Sequence, residues 1–90
     1  MPTIWGWLDR VDQDAHGVRW ILLRTVLLGG TTIRTRVFVK EKALIARGFD
    51  RVEVSNLRDG EFVEVTYHGG QSGFMEAETI YVRPDHLPVA

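Results

Sequence analysis

Arg34, Arg36 and Lys40 stand at even positions of residues 31–40, with Phe38 among them. Successive side chains of an extended chain alternate between two faces, so these four share one face while Ile33, Val37 and Val39 share the other. Cations beside an aromatic ring suit single-stranded nucleic acid: the cations meet phosphates and the ring stacks on a base. Arg19, in the preceding β-prone stretch, adds a further cation. A second reading uses the same residues as a solvated strand face whose arginines pair with acids on neighbouring strands. Trp5 is a separate candidate, a ring beside Gly6 that could stack on a base or a sugar. Its other reading, shared with Trp7, is a large residue that fills the core or closes a barrel end.

Charge is unevenly spread. Residues 17–51 carry eight basic side chains against Glu41 and Asp50, a balance of +6. Residues 1–16 sum to −2 and residues 52–90 to −5, which leaves −1 for the chain. The middle of the chain is therefore where an anionic ligand would bind. The near-neutral total weakens long-range attraction of a polyanion.

Other chemistries find little support. There is no cysteine, hence no disulfide, thiol nucleophile or thiolate metal site. His16, His68 and His86 show no metal-ligand spacing, so no metal is expected. Ser55 and Ser72 are turn residues without a visible base. Glu61, Glu64, Glu76 and Glu78 could imitate a paired-carboxylate site, but Glu64 and Glu76 read as outward strand positions. Gly69, Gly70 and Gly73 lie between two strands and form no phosphate loop. No enzyme activity and no cofactor are expected, because nucleophile, base and orienting group cannot be assembled.

The elements that would hold these residues are mostly strands. A first runs over residues 4–12, broken at Gly6, where a bulge or bend is expected. A second covers residues 18–28 and a third residues 31–40, joined at Gly29-Gly30, a pair that accepts positive φ. Residues 41–47 hold helix formers followed by Gly48 and read as one or two helical turns over a barrel end. The fourth and fifth strands cover residues 62–68 and 74–83, with a bulge near Glu78-Thr79 and a stop at Pro84. The expected core takes Ile4, Leu8 and Val11 from the first strand, Val18, Trp20 and Leu22 from the second, and Ile33, Val37 and Val39 from the third. Leu44, Leu57, Val63, Val65, Ala77, Ile80 and Val82 complete it.

This layout predicts an all-β fold: a five-stranded OB-like Greek-key barrel with one short helix between strands three and four. An SH3-like barrel is the main competitor. Residues 1–84 make a single domain and residues 85–90 a loose tail. The motifs Gly6-x-Leu8-x-x-Val11-Asp12, Leu57-x-x-Gly60-x-Phe62-Val63-x-Val65 and Ala77-x-x-Ile80-x-Val82 resemble an uncharacterised bacterial family of short OB-like β-barrel domains. The resemblance spans roughly residues 6–82 and implies a fold, with no catalytic residue to carry over. The chain departs from that pattern in its longer middle connection, residues 41–56.

The expected function is a non-catalytic binding or interaction module. Its partner would be a protein, met through exposed apolar residues such as Leu23, Leu27 and Phe38, or a second copy of the chain in a weak homo-oligomer. The alternative is single-stranded nucleic acid on the basic face, with Arg19, Arg34, Arg36, Phe38, Lys40 and Trp5 as candidate ligand-binding residues. No apolar run is long enough for a membrane span. The first ten residues lack a basic region followed by an apolar core, so a secretory signal is not expected and a cytoplasmic location follows by default.

Overall fold

A computed structural model describes residues 2–69 and 74–83. Strand β1 spans Thr3–Gln13, β2 Arg19–Val26, β3 Thr32–Arg47, β4 Asp50–Arg51, β5 Phe62–Gly69 and β6 Met75–Val82. The hydrogen-bonded order is β2-β1-β5-β6-β3-β4, and a β2–β3 pairing closes the ring. Five strands thus form a closed barrel, and the two-residue β4 extends β3 at its end. All barrel pairings are antiparallel except β3 with β6. The resulting order is compatible with an OB-like barrel. No helix among the described residues is long and apolar enough to cross a membrane.

Residues 41–47, expected to be helical, are strand. β3 continues through them, pairing Leu44 to Arg47 with Thr79 to Val82 of β6 after an irregularity that follows Val39. Tertiary pairing overrides the helix preference of lysine, alanine and leucine. The alternation that favours a strand is present: Val37, Val39, Ala43 and Ile45 are buried, while Leu44 points out. The middle connection therefore shrinks to β4 and a single 3-10 turn over Val54–Asn56. That turn sends Val54 into the core, with Leu57 following it.

The register of β2 also differs from expectation. Ile21 and Leu23 are fully buried, and Trp20 and Leu22 face outward, half-buried. Leu23 is therefore no exposed docking residue. Both faces of residues 20–23 are apolar, so periodicity alone could not choose between them. The hairpin decides. Gly29 and Gly30, both at φ 90°, centre the turn, and pairs counted outward run from Val26↔Thr32 to Trp20↔Phe38. With Val37 and Val39 inside, Phe38 is outside and so is its partner Trp20. Ile33 is exposed at the start of β3, Val18 lies outside the core cluster, and Ala43 and Ile45 replace Leu44. The expected core positions Leu8, Val37, Val39, Leu57, Val63, Val65, Ala77, Ile80 and Val82 are buried, with Ile4 and Val11 packed against them. Burying each of the larger aliphatic chains contributes about 1.5–3 kcal/mol.

Gly6 is not a bulge. It leaves no room for a side chain, since a Cβ there would lie 2.8 Å from the Arg24 carbonyl oxygen. The bulge of β1 sits further on, at Asp9, between the pairs Leu8↔Leu23 and Arg10↔Leu22. In the last hairpin the irregularity falls at Glu78 as expected, between Thr66↔Thr79 and Tyr67↔Ala77. Pro84 and residues 85–90 lie outside the described residues.

Candidate functional site

The bulge at Asp9 shapes the outer face of β1, β2 and β3. It turns both Asp9 and Arg10 outward before Val11 returns to the core side. Asp9 then meets two arginines from neighbouring strands. Its carboxylate lies 3.2 Å from Arg24 Nε and 3.0 Å from Arg34 Nε. Arg24 and Arg34 are themselves directly opposite each other in the β2–β3 register. The carboxylate between them relieves their repulsion, so Arg34 is a structural cation here.

Next along the same face lies an aromatic group. Trp20 makes edge-to-face contacts with Phe38 and Phe74, at centroid separations of 5.4 Å each. The Arg36 guanidinium lies over the Trp20 ring, 4.4 Å from its centroid. This cation–π contact orients Arg36 without neutralising it. No carboxylate of the described residues lies within ion-pair distance of Arg36. Arg10, Asp12, Trp20, Leu22 and Arg36 line a shallow groove of about 270 Å³, in which Arg10 and Asp12 pair at 2.9 Å. Four arginines (Arg10, Arg24, Arg34, Arg36) thus face two aspartates (Asp9, Asp12) across this sheet.

The remaining candidates lie elsewhere. Lys40 shares the face of Arg36 and Phe38 by alternation, but its Nζ donates to Glu78 Oε1 at 2.7 Å. That bond holds the Glu78 carboxyl below its ordinary value, helped by the charge of Lys40. The His68 ring nitrogen Nε2 sits 2.7 Å from the same carboxylate and 3.2 Å from Glu76. Arg19 alternates to the other side of β2 from Trp20, at a barrel mouth it shares with His16, Val39 and Glu41. Trp5 is 59% exposed and sits far from Trp20, because Asp12 at the opposite end of β1 is the residue registered with Trp20. It shares the outward side of β1 with Trp7, which packs edge-on against Phe62 at 5.1 Å.

The opposite wall is closed by ion pairs. Arg47 grips Glu61 with two parallel bonds, Nε to Oε2 at 2.9 Å and a terminal nitrogen to Oε1 at 2.8 Å, and also reaches the Asn56 carbonyl at 2.7 Å. Burial pulls the Glu61 carboxyl upward, but the Arg47 fork and the Arg58 amide outweigh it and hold the group below its ordinary value. The same bond to Glu61 raises Arg47 above its ordinary value, against the opposing effect of its own burial. Arg83 pairs with Glu64. The described residues contain no group of three or more His, Asp or Glu that could hold a metal ion.

Reasoning from the sequence missed Trp20, Phe74, Arg10 and Asp12 as members of the face. Trp20 was within reach, since its pairing with Phe38 follows from counting outward from Gly29-Gly30. Arg10 was also within reach, since Leu8 and Val11 both face the core and their offset of three residues requires a bulge between them. Compared with known proteins, the chain matches no family model, no curated protein and no solved structure. The likeness to short OB-like domains therefore rests on the barrel alone.

Proposed function

We propose that the chain is a non-catalytic binding module whose partner is another protein, held on the outer face of β1, β2 and β3. The observation that carries this reading is Arg36, spread on the Trp20 ring at 4.4 Å with no carboxylate of the described residues within ion-pair distance. A tryptophan, two phenylalanines and an oriented arginine are the side chains from which binding hot spots are built. Other cations of β2 and β3 are already engaged, Arg24 and Arg34 by Asp9 and Lys40 by Glu78. The site therefore suits one carboxylate flanked by apolar side chains better than a run of phosphates. The partner segment presents an acidic residue to Arg36 and an apolar one to Trp20 and Phe38. On this reading the protein acts in the cytoplasm, as an OB-like domain, without metal or cofactor.

Selection of peptides displayed on phage tests the reading. Peptides enriched on the wild type and lost on Arg36→Glu should share an acid next to an apolar residue. Enrichment indifferent to Arg36 would reject it. Single-stranded nucleic acid is the second reading, favoured by the four arginines that face only two aspartates. Amide NMR spectra during titration with a mixed oligonucleotide would then shift at residues 20–24 and 34–38, less so as salt rises. An unchanged spectrum at low salt removes this second reading.

A further inference from the structure

At the other end of β2 the surface loses its charge. Residues 25–33, the tip of the β2–β3 hairpin, contain none in a chain that is 26% charged. Leu28 is fully exposed there, and Val26, Leu27 and Ile33 are each exposed by two fifths or more. Solvated hairpins ordinarily carry lysine, glutamate or proline, which discourage pairing with other molecules. This one carries none of them.

A groove opens beside the tip. β1 pairs with β2 only from Trp7↔Arg24 onward, while Thr3 to Gly6 pair with β5 alone. The two strands part, bridged by the Thr25 hydroxyl, which donates to the Trp5 carbonyl at 2.7 Å. The space between them has a volume of about 360 Å³, lined by Ile4, Trp5, Trp7, Thr25, Val26 and Phe62 among others. Every lining residue is uncharged. A contiguous apolar surface of this kind on a small protein marks an interface.

We infer that this end of the barrel is a self-association surface, and that its occupant is a second copy of the chain, with Leu28 of each copy seated against Trp5 and Phe62 of the other. The absence of charge, and a knob and groove on the same patch, select that occupant. The groove offers no carboxylate or cation to a charged ligand, and a surface without charge is one that identical copies can share without repulsion. A twofold interface also demands that knob and groove lie on one patch. Here Leu28 and the groove lie side by side, joined through Val26. Trp20 stands about 20 Å further along β2, at roughly 3.3 Å per residue. The dimer therefore leaves both Arg36–Trp20 faces open and presents two of them at once, which raises avidity for any partner with repeated segments.

Sedimentation velocity over a range of concentration tests this, read together with Trp5 emission. The wild type should pass from monomer to dimer with a blue shift. Leu28→Asp should weaken association by at least about a hundredfold, because two carboxylates would have to be buried unpaired. Leu28 lies in an exposed loop, so this variant keeps the fold, and Trp5→Ala should act in the same direction. Arg36→Ala should leave the dimer intact, which separates failure here from failure of the protein-binding reading. A wild type that stays monomeric at the highest concentration overturns the inference. So does a dimer indifferent to Leu28→Asp.

Discussion

On the wall formed by β3, β5 and β6, Lys40, Arg47 and Arg83 each meet a glutamate, and His68 lies against Glu76 and against the Glu78 that Lys40 also meets. On the wall formed by β1, β2 and β3, two aspartates serve four arginines, and Arg36 rests on a ring. Both walls carry arginines, so residue type does not distinguish them. The supply of carboxylates from neighbouring strands does. Where β5 and β6 bring glutamates, the cations stabilise the fold. Where β1 brings only Asp9 and Asp12, Arg36 has an aromatic ring beside it in place of a carboxylate partner.

The sharpest test of where that second wall faces lies on β2. Leu23→Ala should cost about 2–5 kcal/mol, since it empties a fully buried site. Leu22→Ala, one residue away on the outer face, should change stability far less. Chemical denaturation measures both, and equal losses would mean that Trp20 does not face outward. Next in size is the contrast between the cations. Arg47→Ala should cost about 1.5–3 kcal/mol, because Glu61 loses a charge-assisted fork in a largely enclosed place. Arg36→Ala should cost less than about 1 kcal/mol, the range of an exposed cation–π contact. Equal melting-temperature losses would end the distinction between a wall whose cations are paired with carboxylates and one whose Arg36 is not.

Acid should weaken the first wall in a gentler way. Glu61 and Glu78 are both held below the ordinary value of 4.5. The unfolded chain therefore takes up protons that the folded one refuses, and stability falls as pH drops through and below that value. Above it, the contribution of both groups is fully present. Melting temperature measured across this range should decline, and in Arg47→Ala the part due to Glu61 should be lost. A wild-type profile that is flat in acid would contradict the pairing of this wall.

Much of the barrel was legible because its rules are local. Alternation placed Val37 and Val39 inside and Arg34, Arg36 and Phe38 outside, and the glycine pair placed the hairpin. What failed was set by distant parts of the chain. Residues 41–47 became strand because β6, thirty-five residues on, pairs with them. Trp20 is the exception: the local hairpin register turns it out, and the apolar run on both faces of residues 20–23 hid which side was inside. The state of each cation was the least legible, since Asp9 is 25 residues from Arg34 and Glu78 is 38 residues from Lys40. Sequence spacing names the cations of a face but not which of them is already answered.

The parallel join of β3 to β6 bears on how the barrel comes into being. β1, β2 and β3 can pair as soon as they exist, around a local turn. Their sheet then has two bare edges, because β1 waits for β5 and β3 waits for β6. Closure brings together residues as far apart as Thr3 and Thr66, a search that is slow compared with forming a hairpin. During that interval the half-made sheet exposes both its unpaired backbone and the apolar side meant for the interior, a state prone to aggregation. Synthesis order is thus also an order of risk, and the ring becomes safe only with its last strand.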